Sequence, residues 1–222
     1  MIPLRDVIPS RTTPYITVTI IILNVAAWLF EVSLDPETLN RFISVYGVVP
    51  AYFSAPTLIT SMFLHGGWMH IIGNMWYLWI FGDNVEDQLG HGRFIIFYLL
   101  CGIVAALGQV FMDPSSTLPT IGASGAIAGV MGAYFVLYPQ SRVLTLIPLI
   151  IIWEVIELPA FVLLGFWFLL QLFSAGSIAA TSSSHGSGGV AFAAHVAGFL
   201  VGMAGVFVFR KRDTNRWEGV DY

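Results

Sequence analysis

The chain has 222 residues, 57% of them hydrophobic and only 10% charged, with a mean hydropathy of +0.81. Soluble domains run near 45–50% apolar and about 25% charged, so a water-facing globular surface is excluded. A net charge of -4 with nine Lys and Arg argues against a nucleic-acid binder, and a lone Cys101 excludes an intramolecular disulfide and argues against a Cys-ligated metal site. The expectation is an all-α polytopic membrane protein. Six helices of about 20 residues each would leave short loops, so residues 1–222 are read as one membrane domain.

Long apolar runs place the first span over Tyr15–Val32, the second over Gly67–Phe81 and the third over Phe94–Met112. The fourth covers Gly122–Tyr138, the fifth Leu158–Phe173 and the sixth Phe192–Phe209, followed by a tail at 210–222. Arg5 and Arg11 precede the first run as in a signal peptide, but no small-residue cleavage pattern follows it, so it reads as a retained anchor. Leu144–Trp153 is apolar but interrupted by Pro148; it reads as an interfacial segment, with one long kinked helix as the alternative. Pro159 suits the first turn of the fifth span. The first loop, residues 34–64, has the composition of the membrane interface, and the Gly/Ser-rich residues 174–190 read as a flexible loop.

Basic residues set the orientation. Arg5, Arg11, Arg93, Arg142, Arg210, Lys211, Arg212 and Arg216 fall on one side of a six-span chain, and Arg41 alone falls on the other. Both termini are therefore expected to be cytoplasmic, with the even-numbered spans running inward from the outer face.

Polar groups inside spans are costly, and each is a functional hypothesis. Three even-numbered spans carry them near their outer ends: His65, His70 and Asn74 in HGGWMHIIGN, Ser124 in GASGAIAG, and His195 in FAAHVAGFLVG. None comparable is read on the odd-numbered spans. Gly125/Gly129 and Gly198/Gly202 are small-xxx-small pairs that permit close helix approach. His195 and Gly198 are three apart and share a face, so contact between spans four and six would carry His195 toward Ser124. A serine hydroxyl needs such a base to become a nucleophile. His70 and Asn74, one turn apart on one face, would supply donors to an oxyanion together with the Ser124 amide. His65 and His70, five apart, would diverge by about 140° on a regular helix.

Gly122-Ala123-Ser124-Gly125, His195 with Gly198 and Gly202, and the His65-to-Asn74 run together resemble the rhomboid intramembrane serine proteases. GVVP leading into TSMFLHGGWMH, and Glu86 in GDNVEDQLG, are similar to the same family. The resemblance spans about Tyr15 to Phe209. It implies Ser124 as nucleophile, His195 as general base and His70 with Asn74 as the oxyanion site. It also implies cleavage of transmembrane protein substrates near the extracytoplasmic face, in the lipid bilayer and without cofactor. Pro56 and Thr57 stand where the family commonly has a Trp-Arg pair, so different anchoring of the first loop is expected.

Plainer readings stand beside these. Ser124 would serve as a small packing residue, His195 as a structural histidine and Asn74 as a bond to loop backbone; the matched depth of the first two favours chemistry. His65 is read as tying the first loop to span two, and His185 as a solvated loop residue. Asp83, Glu86 and Asp87 are read as structural partners of Arg93 or of helix N-termini. A catalytically inactive rhomboid-like protein that binds membrane helices is the alternative function, with a polar-solute transporter behind it. No HExxH occurs, and no carboxylate is available at the right depth to orient His195. With no recognisable sorting signal, a prokaryotic plasma membrane is the expected location.

Overall fold

The computed structural model describes residues 1–148, 153–181 and 191–211. Its elements in chain order begin with strand β1 (Ile2–Asp6), helix α1 (Tyr15–Glu31), helix α2 (Pro36–Tyr46) and a short α3 (Thr57–Thr60). Helices α4 (Trp68–Leu89), α5 (His91–Met112) and α6 (Ser124–Leu137) follow, then strands β2 (Arg142–Pro148) and β3 (Trp153–Pro159), and finally α7 (Ala160–Thr181) and α8 (Phe192–Phe209). Among the described residues α5, α7 and α8 are long and apolar enough to cross a membrane, and α1 and α6 are shorter apolar helices.

The expected helices are present, with shifted ends. α4 continues past Phe81 to Leu89, and α7 continues past Phe173 into the stretch read as loop. Ala at 175, 179 and 180 suits that extension, since alanine is the best helix former. His185 lies outside the described residues.

The all-α expectation is corrected by a three-stranded antiparallel sheet in the order β1-β2-β3. The segment read as interfacial, or as part of a kinked helix, is instead a β-hairpin whose register pairs Val143 with Leu158 and Pro148 with Trp153. β-branched residues and a proline at the end of each seven-residue strand favour strand over helix. Pro159 accordingly closes β3, and α7 starts at Ala160. β1 reaches β2 from the far end of the chain, Ile2 opposite Leu146. Tyr134 Oη on α6 donates to Asp6 Oδ2 at 2.8 Å, which ties the sheet to the helical core. Burial pushes the Asp6 carboxyl up to about 6, against the opposing pull of that bond.

α6 is the centre of the bundle, with every residue from Gly125 to Tyr134 buried. Its glycines let α8 cross at backbone distance. A Cβ added at Gly198 would fall on the Gly125 carbonyl, one at Gly202 on the Gly129 carbonyl, and one at Gly132 on the Phe199 carbonyl. On the other flank Gly129 faces Cys101 of α5, and Gly125 faces Ala105. Both small-residue pairs read from the sequence therefore meet each other, on spans four and six as expected.

The acidic end of α4 serves the start of α1. Pro14 offers α1 no side-chain cap. Glu86, fully buried, instead accepts from Ile16 N at 2.9 Å, Thr17 N at 2.8 Å and Thr17 Oγ1 at 2.7 Å. Asp87 takes the amides of Arg11 and Thr12, and the Ser10 hydroxyl bonds Asp83. The helix-N-terminus reading is thus observed for Glu86, while Asp83 and Asp87 hold the segment that leads into α1; Arg93 reaches the Arg210 carbonyl instead. His91 bonds Glu86 at 2.6 Å. Glu86→Ala would orphan the first amides of a membrane helix, so a loss of about 3 kcal/mol is expected. Thermal unfolding in detergent reads it, with Glu86→Gln intermediate because its one oxygen can keep part of the set.

Candidate active site

Ser124 is the first residue of α6, placed there by the turn at Gly122, whose φ of +124° glycine tolerates and other residues avoid. Its backbone N–H is one of the orphan donors at a helix start, where the helix dipole is positive. Its hydroxyl donates to His195 Nε2 at 2.8 Å. His195 sits in the first turn of α8, 8% exposed. It is brought there by the Gly198 contact beneath it, so the geometric expectation from the two helix faces is met.

The other imidazole nitrogen has a partner the sequence reading missed. His195 Nδ1 lies 2.7 Å from Gln171 Oε1 on α7. The carbonyl oxygen accepts, so Nδ1 carries the proton and Nε2 keeps its lone pair for Ser124. This corrects the statement that odd-numbered spans hold no comparable polar group: QLF in an apolar run was the available signal. Trp167, one turn earlier on α7, places its ring 5.8 Å from the imidazole.

Across the site stand the two residues of α4. His70 Nδ1 accepts from Gly66 N at 3.2 Å, which leaves Nε2–H as a donor. That nitrogen is the atom a Cβ on Gly122 would meet at 2.7 Å, with Asn74 Nδ2 at 3.6 Å. Both donors thus point at the backbone immediately before Ser124, and the absent side chain at 122 leaves room for them. Asn74, 8% exposed, spends one N–H on His65 Nε2 at 3.0 Å and has a second to offer.

His65 is structural in the sense expected, with an added partner. Its backbone N–H donates to Glu31 Oε2 at 3.2 Å, joining the loop to the end of α1. Its ring lies 5.1 Å from that of His70, which corrects the predicted divergence. α4 begins only at Trp68 and the backbone at Gly67 is extended, so the helical-wheel angle does not apply to residue 65. The first loop is held by a Val48–Thr120 bridge, by Thr60 Oγ1 on the Tyr46 carbonyl and by Gly122 N on the Ser61 carbonyl. Thr57 is buried and bonds the Ser54 carbonyl at 2.6 Å. Backbone pairing together with these side-chain bonds anchors the loop in this chain. Among the described residues no group of three or more His, Cys, Asp or Glu has metal-site geometry.

Comparison with known proteins places the chain in a family. The Rhomboid domain family matches residues 53–212. The chain is 27% identical to "Rhomboid-like protein 11, chloroplastic" of Arabidopsis thaliana, over 83% of this chain and 65% of that protein. It is 30% identical to "RHOMBOID-like protein 6, mitochondrial" of the same plant, over 72% of this chain and 46% of that one. It is 34% identical to "Rhomboid protease GluP" of Bacillus subtilis (strain 168), over 50% of this chain and 21% of that protein. The chain spans less than two thirds of the length of each. Relatives named for chloroplast and mitochondrion do not favour the prokaryotic plasma membrane expected from the sequence. With a match over most of its length, the chain belongs to the rhomboid family, which are multi-pass membrane proteins that include serine proteases.

Proposed function

We propose that this chain is an intramembrane serine endopeptidase that cleaves transmembrane protein substrates through Ser124 and His195. The observation that carries the reading is the 2.8 Å bond from Ser124 Oγ to an imidazole nitrogen held free to accept it. As Oγ attacks the scissile carbonyl carbon, its proton passes to His195 Nε2 and the carbonyl electrons move to oxygen. The oxyanion is met by His70 Nε2–H, the free Asn74 N–H and the Ser124 amide. Nε2 then returns the proton to the leaving amine as the C–N bond breaks. Water, activated by the same imidazole, hydrolyses the acyl-enzyme.

The proposed topology has six spans with both termini cytoplasmic, so that Ser124 opens α6 on the extracytoplasmic side. α6 has 14 residues, or about 21 Å at 1.5 Å per residue, against a hydrocarbon core of about 30 Å. With its sheet-bearing end at one face, its other end would stop below the opposite one. A serine there would be submerged yet reachable by water from above. A substrate must expose backbone to reach it, so segments with helix-weakening residues near the interface would be preferred.

The test is covalent. A fluorophosphonate probe should label the reconstituted wild type with the adduct mapped to Ser124 by mass spectrometry, and the same vesicles should cleave a model transmembrane substrate. A well-folded protein that neither labels nor cleaves would instead be the helix-binding, inactive member of the family.

A further inference from the structure

We propose that Gln171 is a positioning residue of the site: its carboxamide fixes the tautomer and tilt of His195, doing for this pair what a carboxylate does in a three-residue relay. The inference rests on the hydrolytic reading above and deepens it.

The placement of Gln171 follows from the sequence of α7. Leu164, Trp167, Phe168, Gln171 and Ala175 recur at helical spacing, and Leu164 and Ala175 are buried at the two ends of that stripe. Trp167 and Phe168 pack on Phe199, one turn along α8 from His195. The α7 stripe therefore lies in the α7–α8 seam, and its one polar member sits where the imidazole is. A glutamine on an apolar helix is expensive unless its amide is satisfied; here its oxygen is, at 2.7 Å from Nδ1.

The consequence is chemical. An imidazole with its proton on Nε2 would present a donor to Ser124 and could not take its proton. An acceptor at Nδ1 removes that tautomer. A carboxylate would also do so, and would stabilise the imidazolium more strongly, but a buried charge in an apolar seam is costly. The neutral amide gives the orientation without the charge and does not titrate. His195 is buried, and among the described residues His70 of α4 is the titratable group across the site from it. α6 contributes Ser124, and at the level of His195 α5 meets α8 through Ala105 and Gly108, neither of which titrates. The acid limb of any activity profile should therefore report His195 in its buried setting, with its Nδ1 partner and His70 as the polar groups around it.

The experiment measures the rate of fluorophosphonate labelling of Ser124 against pH in the full chain, for wild type, Gln171→Leu, Gln171→Glu and Gln171→Asn. Removing the acceptor destabilises the imidazolium, so Gln171→Leu should move the acid limb to lower pH and lower the plateau by about tenfold or more, a fraction of what the base itself provides. Gln171→Glu adds a carboxylate that favours the imidazolium, so its limb should move to higher pH while labelling is largely retained. Opposite displacements by two substitutions of similar size are not the signature of packing. Gln171→Asn keeps the amide but withdraws it by one methylene, and should fall like Gln171→Leu with an unchanged melting temperature; it carries the test if the leucine variant fails to fold. Wild-type rate and limb in both Gln171→Leu and Gln171→Asn would overturn the assignment and leave the Ser124–His195 reading intact. No labelling of wild type would overturn both.

Discussion

Ser124→Ala, His195→Ala and the double variant are expected to retain the same small residual activity toward a model transmembrane substrate, each down by about 10⁴–10⁶ in kcat from wild type. The reason is that in the proposed mechanism the hydroxyl and the imidazole act as one unit through a single 2.8 Å bond. Without the base the alcohol keeps its proton; without the alcohol the base has nothing to deprotonate. A second removal then takes away nothing that the first had left. Any remaining rate would come from binding and from the donors of His70, Asn74 and the residue-124 amide, which survive in all three variants. Reconstituted cleavage with the three proteins at equal folded concentration measures this. Single-variant losses that multiplied in the double variant would mean that the two side chains work independently, and the proposed pair would fall with that result.

Gly202→Ala should be the most damaging small substitution in the bundle. The added carbon would land on the carbonyl, carbon and Cα of Gly129, all backbone atoms of the central helix that no rotamer change can clear. α8 would have to move away from α6. Overpacked cores lose roughly 1–3 kcal/mol, and more where the obstacle is backbone; the expectation here is the top of that range or above. The damage should also reach the chemistry, because the same helix contact carries His195 to Ser124 two turns away. Two measurements check it together: a fall in melting temperature in detergent, and a fall in fluorophosphonate labelling of the fraction still folded. Gly176→Ala is the matched control, since it is exposed on α7 with nothing within 4 Å of the added carbon. It should stabilise slightly, as alanine replaces glycine in a helix interior. Equal melting temperatures for the two variants would show that the α6–α8 contact is looser than its geometry.

Much of this protein is written in local sequence. A membrane span is a run of apolar residues about as long as the bilayer is thick, so α1, α5, α6 and α8 lie close to their expected places without reference to any neighbour. Small residues at four-residue spacing announce a face that another backbone will meet, and Gly125, Gly129, Gly198 and Gly202 did so. Because Ser124 and His195 each sit one turn or less above those glycines, their encounter was legible as well. Motif and helix face supplied the pair before any distance was known.

What the chain alone did not disclose depends on contacts between distant segments. β1 pairs with β2 across some 140 residues of sequence, and strands this short, without a regular polar alternation, are not separated from helix by their pattern. The role of Glu86 as cap for α1 depends on a helix N-terminus 70 residues earlier arriving beside it. Gln171 looked like one more residue of an apolar run, because a single amide has no period and no motif. Only the seating of α7 against α8 turns it toward an imidazole, and a hydrogen bond, unlike hydrophobic burial, exists only at that separation and angle.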